Sequence, residues 1–268
     1  MITKKQKKLG QVFLKDKKVV QKIIQAININ SKDQILEIGP GKGILTQVLL
    51  KTDAEIIAVE KDPKLVKFLE SHFKNKSNLK IIQGDIRDFL QATEYKILNT
   101  GYKAIGNIPY YLTSHLLRLL LENPIKPSLI VLMIQKEVAE RITAQPPKMN
   151  LLSASVQFYA QPKILYNISK TAFNPKPKVD SAVIKITPIN TKENMDKTQI
   201  KDFFSIIRAG FKQPRKLLIN NLNKNLNLEK YFVQKIFLKL NLPFNTRAQN
   251  LSIKQWVSLS SLLIKNIV

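Results

Sequence analysis

Between residues 33 and 135 short apolar runs alternate with segments of helical pattern, and this rhythm constrains the fold more than any other feature of the chain. Gln34-Ile35-Leu36-Glu37-Ile38, Glu55 to Glu60, Asn78 to Gln83, Lys103 to Gly106 and Ser128 to Gln135 read as strands. Gly43 to Lys51, Pro63 to Phe73 and Thr113 to Leu121 read as helices between them, the second with Leu65, Val66, Leu69 and Phe73 on one face. Strands apolar on both faces need helices on both sides, so the pattern predicts an open, mostly parallel α/β sheet. Asp16 is placed to cap an earlier helix that runs to Ile27. Two later β-like stretches, Ala154 to Tyr159 and Ser181 to Thr187, flank a proline loop with no helical segment between them, which predicts an antiparallel edge. After a linker at Pro188 to Asn194, apolar residues recur at helical spacing: Leu217, Leu218, Leu222 and Leu226, then Phe232, Ile236, Phe237 and Leu240, then Trp256, Leu259, Leu262 and Leu263. The expected organisation is an α/β domain over residues 1–189 and a small all-helical domain over 195–268.

Charge is the next constraint. With 44 Lys and Arg against 19 Asp and Glu, the chain carries +25, so a polyanion is the natural partner. The excess is uneven: residues 1–30 hold eight Lys and one Asp, and residues 189–268 hold fourteen Lys or Arg and four acids. An AT-rich genome explains the choice of Lys over Arg, since only six of the basic residues are Arg, but not the shortage of acids. Nucleic acid is therefore the expected partner, with the N-terminus as a basic arm. The longest apolar run, Leu129 to Ile134, is far short of the ~20 residues of a membrane span. Met1-Ile2-Thr3-Lys4-Lys5 opens no secretory signal, so a cytoplasmic protein with no membrane association is expected. The absence of cysteine excludes disulfides and thiolate chemistry, and two distant histidines, His72 and His115, leave little for a metal site.

Chemistry is concentrated at the ends of the strands. The first runs into Glu37-Ile38-Gly39-Pro40-Gly41-Lys42-Gly43, a glycine loop that lets the backbone approach a ligand outside the carboxyl end of the sheet. It is neither the dinucleotide fingerprint nor a Walker loop. The second strand ends in Glu60, where a carboxylate can accept the hydroxyls of a ribose, and the third in Gly84-Asp85, where one can accept an adenine amine. The fourth ends in Gly106-Asn107-Ile108-Pro109-Tyr110-Tyr111. An adenine amine is a poor nucleophile because its lone pair is delocalised into the ring. An amide oxygen at Asn107 and the carbonyl of Pro109 can accept its two N–H bonds and localise that pair, while Tyr110 offers a ring for stacking. A sulfonium methyl donor supplies the electrophile, so positioning replaces a strong base. Phe173, ahead of the proline loop, can cover the other face of a flipped-out base.

These residues resemble the adenine-N6 dimethyltransferases of small-subunit ribosomal RNA over nearly the whole chain. The resemblance rests on Leu9-Gly10-Gln11-Val12-Phe13-Leu14, the Glu37–Gly43 loop, Glu60, Asp85, Asn107-Ile108-Pro109-Tyr110, Gln135 to Arg141, Ala172 to Val183, and Arg247 to Ser252. It implies a Rossmann-like class I S-adenosylmethionine-dependent methyltransferase fold with a helical C-terminal RNA-binding domain and no metal. The implied substrate is a pair of adjacent adenines in the 3′-terminal hairpin loop of 16S rRNA, each methylated twice during small-subunit biogenesis. The implied cofactor contacts are Gln11, Val12, Leu14, Gly39, Gly41, Glu60, Asp85, Ile86 and Asn107. The implied target-base contacts are Asn107, Pro109, Tyr110 and Phe173, in a chain expected to act as a monomer. Two positions depart from the family pattern: Val12 stands where Asn is usual, and Tyr111 where Asn is common. Val12 lacks the amide that holds the cofactor's methionine end, so weaker cofactor affinity is expected. Two alternatives remain open at this point: the macrolide-resistance dimethyltransferases of 23S rRNA, which share the Asn-Ile-Pro-Tyr motif, and a non-catalytic ribosome-assembly factor with a vestigial pocket.

Overall fold

A computed structural model describes residues 12–92, 97–109, 112–189 and 195–264. Gln11, Tyr110, Tyr111, most of the 188–194 linker and the N-terminal lysines lie outside the described residues. The chain divides into two compact units, one of residues up to 140 with 160–188, the other of 141–159 with 189 onward. Among the described residues no helix is long and apolar enough to cross a membrane.

The first unit is built on a seven-stranded sheet. Its strands are β2 (Gln34–Ile38), β3 (Glu55–Glu60), β4 (Leu79–Gln83), β5 (Lys103–Asn107), β6 (Leu129–Gln135), β7 (Ala160–Ile168) and β9 (Ser181–Pro188), in the order β4-β3-β2-β5-β6-β9-β7. The first five in that order are parallel, whereas β9 runs antiparallel to both β6 and β7, which gives the expected antiparallel edge. Strand order reverses at β2, which pairs with β3 on one side and β5 on the other. In open α/β sheets such a switch point leaves a crevice at the carboxyl ends of the strands. A separate ribbon of β1 (Phe13–Leu14) and β8 (Phe173–Asn174) pairs Leu14 with Phe173, and Lys15 N–H donates to the Ala172 carbonyl at 2.9 Å.

Helix α1 (Lys17–Ile27) is capped by Asp16, whose carboxylate accepts from the Lys18 and Val19 amides. It turns Val19, Val20, Ile23 and Ile27 onto the apolar cluster made by Ile35, Ile56, Ile105 and Val131 of the sheet. Ile23 and Ile27 are fully buried, and each such side chain contributes ~1.5–3 kcal/mol to docking that face. The segment after β2 is mostly turn, so α2 (Thr46–Leu49) is shorter than its pattern suggested; α3 (Pro63–His72) and α5 (Thr113–Glu122) fall where expected. Two short helices, α4 (Ile86–Gln91) and α6 (Lys136–Thr143), carry too few turns to show a period in sequence.

One stretch differs in kind. Ala154 to Tyr159 is not a strand but part of α7 (Leu151–Tyr159), and the edge strand is β7 immediately after it. Ser153, Ala154, Val156, Gln157, Phe158 and Tyr159 are all buried, so the helix has no polar face to reveal its 3.6-residue period. This helix belongs to the second unit, which therefore interrupts the expected 1–189 domain at 141–159. The remaining helices of that unit are α8 (Lys197–Phe211), α9 (Leu218–Leu226), α10 (Lys230–Lys239) and α11 (Ile253–Ile264). Phe158 stacks on Phe203 at 4.3 Å, Phe211 lies 5.5 Å from Trp256, and the buried Asn221 amide donates to the Gly210 and Gln213 carbonyls.

Candidate active site

At the carboxyl ends of β2, β3, β4 and β5 lies a cavity of about 340 Å³. Its wall includes Val12, Leu14, Gly39, Gly41, Glu60, Asp85, Ile86, Asn107, Pro109 and Phe173, so every site residue expected from sequence that is described lines one cavity. Gln11 and Tyr110 lie outside the described residues.

The glycine loop leaves β2 at Gly39, whose φ of +64° is strained for any residue with a side chain. Its missing β-carbon would meet nothing within 4 Å, which leaves open room for a ligand to lie against the main chain. Glu60, buried at the end of β3, holds this loop: its Oε2 accepts from Gly41 N–H at 3.0 Å and its Oε1 from Asp62 N–H at 2.9 Å. Each oxygen keeps a second lone pair, enough to receive a diol. Beneath the loop, Glu37 is fully buried; Thr46 Oγ1 donates to its Oε2 at 2.7 Å, and its Oε1 has no hydrogen-bond partner among the described residues. Burial pushes this carboxyl up to about 7, while the Thr46 hydrogen bonds pull it down and the charge of Glu60 adds to the rise.

Asp85 is the N-cap of α4, accepting from the Arg87 amide at 3.0 Å. The Arg87 guanidinium grips it at 3.0 and 2.7 Å and Lys61 Nζ at 2.8 Å. The Arg87 bonds, opposed in part by burial and joined by Lys61, hold the carboxyl well below the usual carboxylate range. Asn107, the last residue of β5, donates from Nδ2 to the Val12 carbonyl at 3.1 Å. That bond fixes the amide so that Oδ1 is left as the acceptor. It also runs through the main chain of residue 12, so the Val side chain that departs from the family pattern does not break it. Phe173 is only 3% exposed and joins both the cavity wall and the apolar cluster under the sheet.

Phe13 and Lys61 are among the wall residues that the sequence did not assign a role. Phe13 closes on the glycine loop, since a β-carbon at Gly41 would stand 3.3 Å from its ring, and Lys42 Nζ lies 5.0 Å from the ring centroid. Its position inside the Leu9–Leu14 motif was the available signal. Lys61, next to the strand-end acid Glu60, gave no signal until its ion pair with Asp85 was visible.

A family model described as ribosomal RNA adenine dimethylase matches residues 2–265. The chain is 40% identical over 262 residues to a ribosomal RNA small subunit methyltransferase A from Dehalococcoides mccartyi, covering 97% of this chain and 89% of the relative. It is 38% identical to the protein of the same name from Halothermothrix orenii, covering 96% and 87%. Among solved structures, a dimethyladenosine transferase from Plasmodium falciparum superposes with a TM-score of 0.82 at 25% identity, covering 96% of this chain and 98% of that one. The 23S rRNA methyltransferase ErmE superposes at 0.75 over 94% and 99%, but at 22% identity it shows a shared fold alone. Sequence matched from end to end, together with this sheet and cavity, shows that the chain belongs to the ribosomal RNA adenine dimethylase family and is an rRNA adenine dimethyltransferase.

Proposed function

We propose that this enzyme uses S-adenosylmethionine to dimethylate the N6 amines of two adjacent adenines in the 3′-terminal hairpin loop of 16S rRNA. It acts as a cytoplasmic monomer on a precursor of the small ribosomal subunit, with residues 195–268 helping to grip the RNA. The small-subunit assignment is supported by relatives that carry that subunit in their names.

The residues present fit the cofactor. Main-chain room above Gly39, the spare lone pairs of Glu60, and Asp85 with Ile86 at the start of α4 suit an amino-acid tail, a ribose and an adenine respectively. Val12, Leu14, Gly41 and Gln11 complete the proposed cofactor contacts. When bound, S-adenosylmethionine supplies an electrophilic methyl on a cationic sulfur.

The observation that carries the reading is the amide of Asn107, which lines the cavity and is oriented by the bond from its Nδ2 to the Val12 carbonyl. Asn107 Oδ1 and the Pro109 carbonyl accept the two N–H bonds of the target amine, which pulls its lone pair out of conjugation. Tyr110 and Phe173 sandwich the base. No general base is needed, since the methylated amine sheds its proton to water.

Mass spectrometry of rRNA fragments, after incubation with unmethylated small subunits and S-adenosylmethionine, tests the proposal. Dimethyladenosine at two adjacent positions of a 16S fragment is the expected result. Methylation confined to 23S rRNA, or RNA binding without any methyl transfer, would replace it with one of the two alternatives.

A further inference from the structure

Asp85 is the acid proposed to receive the adenine amine of the cofactor, yet its carboxylate is already saturated. A carboxylate offers about four lone-pair positions. Oδ1 accepts from the Arg87 amide and from Arg87 Nε, both at 3.0 Å; Oδ2 accepts from Arg87 Nη2 at 2.7 Å and Lys61 Nζ at 2.8 Å. An incoming N–H must displace one of them. The amide bond is the cap of α4, and the guanidinium is held at two points by a side chain 35% exposed. Lys61 reaches Asp85 through one nitrogen, its side chain is 53% exposed, and it also lines the cavity. Of the three donors it has the most exposed side chain and the fewest bonds to this carboxylate, so it is the one an incoming amine meets first.

We propose that Lys61 is a displaceable counter-ion that holds the adenine-amine position on Asp85 and swings into solvent when the cofactor binds. Lys61 thereby lowers cofactor affinity and blunts the preference of the site for a 6-amino purine. With no ligand, it fills the acceptor position on Oδ2 that the Arg87 bonds leave open. The proposal rests on the reading of Asp85 as the adenine contact, and the test separates the two.

Calorimetric titrations of wild type and Lys61→Ala with S-adenosylhomocysteine, and with its 6-deamino analogue bearing hydrogen in place of the amine, distinguish the outcomes. S-adenosylhomocysteine should bind Lys61→Ala several-fold more tightly than wild type, while the deamino compound binds both proteins equally. Equal tightening for both compounds would show that Lys61 acts on the site's charge in general, and weaker binding by Lys61→Ala would make it a cofactor contact. Either result, or no change for either compound, overturns the proposal and leaves the role of Asp85 standing. If instead wild type does not prefer S-adenosylhomocysteine over the deamino analogue and Asp85→Asn binds it as well as wild type does, the adenine reading of Asp85 fails and takes the proposal with it.

Discussion

At Asn107 the amide nitrogen is tied to the Val12 carbonyl, so the catalytic proposal reduces to one oxygen atom. Asn107→Ala should lower turnover ~10²–10³-fold at saturating substrates, the cost of one preorganised transition-state bond; single-turnover methyl transfer retained at the wild-type rate would remove it from the mechanism. Glu60 has a second duty that sequence did not show, since it pins Gly41 as well as facing the cavity. In Glu60→Gln the amide NH₂ must oppose either Gly41 N–H or Asp62 N–H, so cofactor affinity should fall while RNA affinity holds; an unchanged cofactor titration would contradict this. Glu37 makes a pH prediction. Its folded value of about 7 lies above its ordinary 4.5, so protons bind the folded state more tightly. The stabilisation is complete below pH 4.5 and is lost as pH rises through about 7, on the order of 3 kcal/mol in all. Denaturant unfolding of wild type should therefore weaken between pH 4.5 and 8 by about that much more than Glu37→Gln does, and parallel pH profiles would assign the titration elsewhere.

Among the elements, the switch point depends on how closely β2 and β5 approach. A β-carbon at Gly106 would sit 2.5 Å from the Ile38 carbonyl oxygen, backbone that has no rotamer to relieve the clash. Gly106→Ala should cost ~1–3 kcal/mol in chemical denaturation and widen the cleft beside Asn107, with cofactor affinity falling in step; wild-type stability would show that the sheet absorbs the methyl. In the helical unit, Asp196 and Gln199 form a reciprocal capping box at the start of α8, in which Asp196 accepts from the Thr198 and Gln199 amides and Gln199 accepts in return from the Asp196 amide. Helices with one apolar stripe, such as α1 and α3, were legible because one polar face leaves a period to count. The largely buried α7 was not, since its less buried face of Leu151, Leu152 and Ser155 is mostly apolar and leaves no polar period to count.

For the whole molecule the controlling quantity is a charge of +25, concentrated toward both ends. Each phosphate neutralised by Lys or Arg releases counterion, so log RNA affinity should fall linearly with log salt. Replacing Lys4, Lys5, Lys7 and Lys8 together by Ala, or Arg215 with Lys216, should flatten that slope without changing which adenines are methylated. A slope identical to wild type for either variant would remove that segment from the RNA interface.

Local pattern was enough for the parallel α/β unit, its antiparallel edge and the helical C-terminal region, and for the wall residues Gly39, Glu60, Asp85 and Asn107, which stand at or just beyond strand ends; Val12, Leu14 and Ile86 followed from the family resemblance instead. What those residues touch follows from the packing of distant segments. The ribbon that joins Leu14 to Phe173, the bond from Asn107 to the Val12 carbonyl 95 positions away, and the pairing of Lys61 with Asp85 link segments with no common period or spacing. Local pattern reports the free energy of burying one segment against an average interior, whereas hydrogen-bond and ion-pair partners are selected by the three-dimensional packing of all segments at once.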